Sequence, residues 1–143
     1  MGNREIIFRG KTINSGEWVE SMTIAKGTIK RKKDCMYMEL SEGMWVGVIP
    51  ETVGQFTNLI DKNEKKIFEN DLRVDGKGNI FRIYGIDGGF VIKSYFWKHN
   101  CKDLVMGDEL IMDHLTDPQT RQYIEQSTTH CGNIFDNPEL VKP

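Results

Sequence analysis

Along most of this chain apolar side chains alternate with polar ones. Met36, Met38 and Leu40 share one parity, with Tyr37 and Glu39 between them, which is the period of a strand with one buried face. Upstream, Glu5 to Arg9 is short, β-branched and aromatic, and the run from Gly16 onward alternates through Trp18, Ser21 or Met22, and Ile24. Downstream, Met44 to Ile49 forms a second apolar run that stops at Pro50; proline cannot donate to a ladder and so marks a strand boundary. Asn14-Ser15-Gly16, Gly27 and Ser41-Glu42-Gly43 read as turns, because Asn and Gly accept positive φ. The basic run Lys30 to Lys33 reads as an exposed bend.

The stretch Gly54 to Arg73 carries two strand-like runs around Asp61-Lys62-Asn63-Glu64, a connection in which Asx side chains can bond their own backbone. From Asn70 to Trp97 the pattern repeats as strand, Asp75–Asn79 turn, strand, Asp87-Gly88-Gly89 turn, strand. Such spacing predicts a β-meander folded into a small barrel or sandwich. Large residues occupy both parities from Ile80 to Ile86, so at least one of these strands is expected to be buried on both faces.

The last third is less regular. Leu104 to Leu115 fits a strand, a short helix, or two pieces broken at Gly107. Asp117 followed by Pro118 predicts a helix start, with the carboxylate as cap and the proline where its missing N–H is harmless. A short extended segment from His130 and an Asn137-Pro138 turn close the chain.

With 143 residues, the chain fits one compact domain or two very small subdomains. Hydrophobic residues at 38% and charged residues at 28% argue against disorder of the whole chain. A formal net charge of −2 gives no field that would recruit nucleic acid or anionic lipid by itself. No segment approaches the roughly 18 consecutive apolar residues of a membrane span, and the N-terminus lacks a signal-peptide core; the expectation is a soluble, cytoplasmic protein with no membrane partner. Cys35, Cys101 and Cys131 are an odd number without a paired CxxC, which suits a reducing compartment.

Catalytic signatures are missing. His99, Cys101, His114, His130, Cys131 and Cys35 offer metal-type side chains, but their spacing matches no strong zinc pattern, and adjacent His130 and Cys131 would face opposite sides of a strand. Asp61 to Glu64 resembles the opening of a calcium loop, yet Lys66 stands where the turn glycine belongs and Leu72 where the bidentate glutamate belongs. Asp103, Asp108, Glu109 and Asp113 read as solvated carboxylates. No GxGxxG, Walker, HExxH or GxSxG motif occurs. The expectation is therefore no catalytic residue, no cofactor and no metal. Nucleic-acid contact is the alternative worth keeping: Lys30, Arg31, Lys32 and Lys33 would touch phosphate, and Tyr95 and Trp97 would stack on bases. Phe81, Tyr84 and Phe96 are further aromatics of that kind.

Three blocks resemble the YopX family of small phage and prophage proteins: Arg4 to Ser21, Ile49 to Arg73, and Cys131 to Leu140. The central block carries Thr52, Val53, Gly54, Gln55, Phe56, Thr57, Leu59, Asp61, Lys62, Asn63, Ile67, Phe68, Glu69 and Asp71 as the family pattern does. Gly132, Asn133 and Pro138 belong to the closing block. Asn58, Glu64 and Asn70 stand where that pattern tends to have glycine. Asn accepts positive φ, so Asn58 and Asn70 should keep the backbone shape, whereas Glu64 implies a different turn type. The resemblance implies a mainly β protein: a small β-barrel with an additional irregular, coiled β-sheet and one or two short helical segments. It implies a single unit over 1–143, built as two intertwined β subdomains with the 50–98 region forming much of the barrel. It implies no established activity. The motif residues read first as architecture, and the protein as a non-enzymatic accessory module that forms a homo-oligomer or binds a host or phage protein.

Overall fold

The computed structural model describes residues 5–29, 32–86, 89–95, 97–99, 104–106 and 112–141; for 28, 29, 32–35, 97–99, 104–106, 112 and 113 it describes the backbone. The fold is mainly β, with antiparallel ladders and, among the described residues, one α-helix. The chain divides into two compact units, Met1–Asn58 and Leu59–Pro143.

In the first unit β1 (Phe8–Lys11) and β2 (Trp18–Ser21) form a hairpin over Asn14-Ser15-Gly16. Gly16 takes the left-handed φ of 70° that this turn needs. Next, β3 (Ile24–Ile29), β4 (Lys32–Ser41) and β5 (Met44–Val48) form a three-stranded sheet in that order. A 3-10 turn over Pro50–Thr52 leads to β6 (Gly54–Ile60), which pairs with β1 through Phe8↔Gln55 and Arg9↔Gly54. The β1–β2 hairpin is tied to β5 by hydrogen bonds from Ile13 N to the Gly47 carbonyl at 3.0 Å and from Ile49 N to the Lys11 carbonyl at 2.8 Å. Met38, Val48 and Phe56 are buried, and Gly10 leaves room for the first two, because a Cβ there would lie 3.3 Å from both Met38 and Val48.

Three local expectations change here. The strand expected from Glu5 begins at Phe8; Glu5 instead exchanges hydrogen bonds with the Asn58 side chain, donating its N–H to Oδ1 at 2.8 Å and accepting from Nδ2 at 3.0 Å. Gly27 is no turn but lies inside β3, in register with Cys35. Its missing side chain makes space for a ring, since a Cβ would come within 3.1 Å of Tyr37. The basic bend is partly strand, because β4 starts at Lys32; Lys30 and Arg31 lie outside the described residues.

The second unit opens with the hairpin from the end of β6 into β7 (Lys66–Phe68), followed by the meander β8 (Asp71–Asp75), β9 (Ile80–Ile86) and β10 (Gly89–Tyr95). β11 (Trp97–His99) pairs with β12 (Leu104–Met106), and β13 (Met112–His114) adds to β10. Helix α1 (Pro118–Ser127) then delivers β14 (Thr128–Asn133) to the edge of β8, giving the order β13-β10-β9-β8-β14. That order is linear, and among the described residues no ladder joins β13 to β14. Ile80, Phe81 and Ile83 are buried on both faces of β9, as the dense apolar run predicts. The core gathers Leu59, Ile67, Phe81, Ile83, Ile92, Leu115 and Ile124, each contributing about 1.5–3 kcal/mol on full burial.

Candidate functional site

The motif residues build turns and cores. Thr52 Oγ1 accepts from Lys11 N at 2.9 Å and donates to the Ile49 carbonyl at 2.6 Å, fixing the bend before β6. Gly54, Phe56 and Thr57 are buried along β6, and Gln55 is half-buried. Ile67 and Phe68 are buried in β7. Asp71 is fully buried and its Oδ2 accepts from Phe68 N at 2.8 Å, closing the β7–β8 turn. The half-buried Glu69 sits over Gly85, where an added Cβ would land on its carboxylate. In the closing block, Asn133 Oδ1 accepts from Phe135 N and Asp136 N, both at 2.9 Å, and Pro138 opens a final 3-10 turn. Gly132, with φ 144°, leaves space that the Asn137 side chain occupies.

All three family-type glycine positions keep positive φ: 69° at Asn58, 61° at Glu64 and 72° at Asn70. The different turn type expected at Glu64 is therefore not adopted; the chain holds a non-glycine residue in left-handed backbone instead. That turn is held by Asp61, whose Oδ1 accepts from Asn63 N at 2.8 Å and Lys65 N at 2.9 Å. Asn63 itself is exposed.

Asp61 also faces the residue that sequence reasoning missed. Arg73 has no exposed surface and reaches three ways: Nη1 lies 3.0 Å from Asp61 Oδ2, Nε donates to Thr128 Oγ1 at 3.1 Å, and Nη2 donates to the Thr128 carbonyl at 3.0 Å. Thr128 Oγ1 in turn donates to the Ile124 carbonyl at 2.6 Å. One guanidinium thus joins the β6–β7 turn, β8 and the junction of α1 with β14. Burial pushes the Asp61 carboxyl up, but the N–H groups of Lys65 and Asn63 and the Arg73 guanidinium outweigh it and hold the group below the ordinary carboxylate value. The available signal was parity: Arg73 pairs with Phe81 on the inward face, where an arginine needs a buried acid.

Among the described residues no three His, Cys, Asp or Glu side chains gather to hold a metal. Cys101, Asp103, Asp108 and Glu109 lie outside the described residues, as do the side chains of His99, Cys35 and Asp113. Cys131 follows His130 in β14 at a register shift between His130 and Gly132, and burial pushes its thiol up, away from reactivity.

Two surfaces among the described residues bear on the binding readings. The first is a groove of about 470 Å³ in the first unit, lined by Ile7, Glu20 to Thr23, and Glu39 to Glu42. Met22 is 74% exposed and Leu40 41%. Ser21 sets the groove's corner: its Oγ lies 2.6 Å from the Glu39 carbonyl oxygen and accepts from Thr23 N at 3.0 Å. Nearby in the same unit Ile6, Met44 and Trp45 are exposed as well. The second surface is on β9–β10, where the Arg82 guanidinium lies 4.8 Å and the Lys93 ammonium 4.2 Å from the centre of the Tyr84 ring. Lys93 stands opposite Arg82 in register, and Tyr95 opposite Ile80. Of the other nucleic-acid candidates, Lys30, Arg31 and Phe96 lie outside the described residues, and so do the side chains of Lys32, Lys33 and Trp97.

No described helix is long and apolar enough to cross a membrane. The family model described as YopX protein matches residues 7–142, nearly the whole chain, and the chain belongs to that family. A comparison with curated proteins gives no match.

Proposed function

We propose that this YopX-family chain is a phage or prophage accessory protein that works without catalysis or cofactor in the cytoplasm of its bacterial host, by binding protein. The observation that carries the reading is the open groove with Met22 and Leu40 exposed beside it. Six of the large exposed apolar side chains among the described residues, Ile6, Ile13, Met22, Leu40, Met44 and Trp45, fall in the first unit. Exposed methionine adapts to varied apolar partners, and a concentration of apolar surface is a mark of an interaction site. The motif residues fit this reading as scaffold, since side-chain oxygens of Thr52, Asp61, Asp71 and Asn133 are spent on turns.

A photo-reactive amino acid at position 22 should give protein adducts in host cells, whereas one at the exposed Gln126 in α1 should not. Equal adducts from both positions, or none from position 22, would defeat the proposal.

A second reading rests on Tyr84. An aromatic ring attended by two cations is the arrangement single strands use, with bases stacking and phosphates neutralised. Anisotropy of a labelled single-stranded oligonucleotide, titrated at low and high salt, tests it. Salt-sensitive binding lost in Tyr84→Ala and Lys93→Glu would put this reading ahead.

A further inference from the structure

We infer that the groove of the first unit takes a segment of a partner protein in which lysine or arginine stands among apolar side chains. This rests on the groove being a protein-binding site and adds the chemistry of the partner.

Leu40 is where the groove departs from a plain sheet. It shares parity with Met38 on β4, and in an unbroken strand both would face the same side. Met38 is fully buried, yet Leu40 is 41% exposed. The ladder between β4 and β5 accounts for the difference: Glu39 pairs with Trp45 but Ser41 with Met44, so Leu40 sits in a bulge. Bulges are common beside functional sites, where they re-aim a side chain. Here the bulge adds an apolar side chain to a lining that already holds Met22 and the half-buried Ile7. The corner between β2 and β4 is set in advance, because Ser21 Oγ lies 2.6 Å from the Glu39 carbonyl oxygen and accepts from Thr23 N at 3.0 Å. Little ordering is then lost when a partner docks.

Charge decides which apolar segment fits. Glu20, Glu39 and Glu42 line the groove, and among the described lining residues none is basic. Glu20 stands opposite Arg9 in register, so the preference comes from Glu39 and Glu42. Glu39 Oε2 accepts from Gly43 N at 3.2 Å, which holds this carboxylate against the turn, and Glu42 is exposed in the same turn. A wholly apolar segment would leave both carboxylates without a counter-charge, and an acidic one would be repelled. Lysine and arginine lay their stems along apolar surface while their charged heads reach carboxylates, and the unbranched Met22 adapts to whatever stem packs on it. The volume of about 470 Å³ falls within the roughly 300–1,000 Å³ of sites that enclose compact ligands, room for a few side chains of one segment.

Anisotropy of short labelled peptides titrated with the full chain tests this, using lysine alternating with leucine, glutamate alternating with leucine, and lysine alternating with serine. The lysine–leucine peptide should bind, and the other two should bind at least about tenfold more weakly. Binding should weaken as salt rises, since the attraction is screened beyond about 8 Å at 0.15 M. Glu42→Lys, which keeps the bond between Glu39 and Gly43, should weaken binding by about tenfold. Glu139→Lys, the same change of charge at an exposed position in the second unit, should leave it unchanged. No binding of the lysine–leucine peptide, equal binding of either other peptide, or equal losses in Glu42→Lys and Glu139→Lys would overturn the inference. Adducts from position 22 that join two copies of this chain, or that persist undiminished in Glu42→Lys, would overturn the basic partner while leaving the groove a protein-binding site. An absence of adducts from position 22 would defeat both.

Discussion

Arg73 is the residue whose loss should cost most. Removing it leaves the Asp61 carboxylate, whose side chain is 1% exposed, without its counter-charge, and breaking a buried pair in this way costs about 3–5 kcal/mol. Arg73→Ala should show that loss in urea unfolding, and Asp61→Asn with Arg73→Met should recover much of it; a loss below about 1 kcal/mol would remove the guanidinium from its central role. The three left-handed residues divide differently. Glu64 gains nothing visible from its side chain, which is exposed, so Glu64→Gly should stabilise by about 0.5–1 kcal/mol, the relief of left-handed strain less the added freedom of the unfolded chain. Asn58 and Asn70 use their amides: Asn58 on Glu5, and Asn70 through Oδ1, which accepts from Arg82 Nη2 at 2.9 Å. Their glycine variants should be destabilising, and the opposite signs can be read in one set of melts. Asparagine tolerance of positive φ was legible in the sequence; that the amides would also be used was not, because their partners lie 53 and 12 positions away.

At the scale of elements, α1 is fastened at its start and along its length. Asp117 Oδ2 accepts from Thr120 N at 3.0 Å, as the Asp-Pro pair predicts, and Asp117→Ala should cost about 1 kcal/mol. Tyr123 donates its hydroxyl to Asp75 Oδ2 at 2.6 Å, while Asp75 Oδ1 accepts from Lys77 N and Asn79 N, both at 2.9 Å. Burial opposes ionisation of Asp75, but the Tyr123 hydroxyl and the Asn79 side chain, with the turn N–H groups, bring its pKa to about 2. Tyr123 is pushed up to about 12, first by burial and then by the carboxylate. The signs follow. Asp75, depressed in the fold, stabilises above its unfolded value near 3.8 and loses that contribution as pH falls toward about 2. Tyr123, raised in the fold, stabilises below about 10 and loses its contribution as pH rises toward about 12. Stability measured against pH should therefore lose part of its acid limb in Asp75→Asn and part of its alkaline limb in Tyr123→Phe; unchanged limbs would mean the pair is not formed in solution. The meander, the Asp75–Asn79 turn and the helix start were readable because each is encoded within about ten residues. Gly27 was misread because a glycine that makes room for a ring and one that makes a turn look alike until the cross-strand neighbour, Tyr37, is known.

For the molecule as a whole, the family and the mainly β class were legible, whereas neither the groove nor the Arg73 centre was. Ile7, Glu20 to Thr23 and Glu39 to Glu42 come together only through the pairing of β1 with β2 and the course of β3 and β4, and no local pattern announces that meeting. The groove reading also predicts a separation of effects. Met22→Ser, on a side chain 74% exposed, should change stability by less than about 0.5 kcal/mol while weakening the adducts formed by a photo-reactive residue placed at position 40 instead; a large loss of stability would mean Met22 packs within the fold and offers no docking surface. One further consequence comes from β6. The division between the two units falls inside this strand, after Asn58, and strand side chains change face with every residue. A codon gained or lost within Gly54–Ile60 would turn the downstream residues of the strand to the wrong side, so variation in length should be tolerated at Asn14–Gly16 or Asp75–Asn79 and rejected here. A scan of single-residue insertions, scored by soluble yield, would map that intolerance directly.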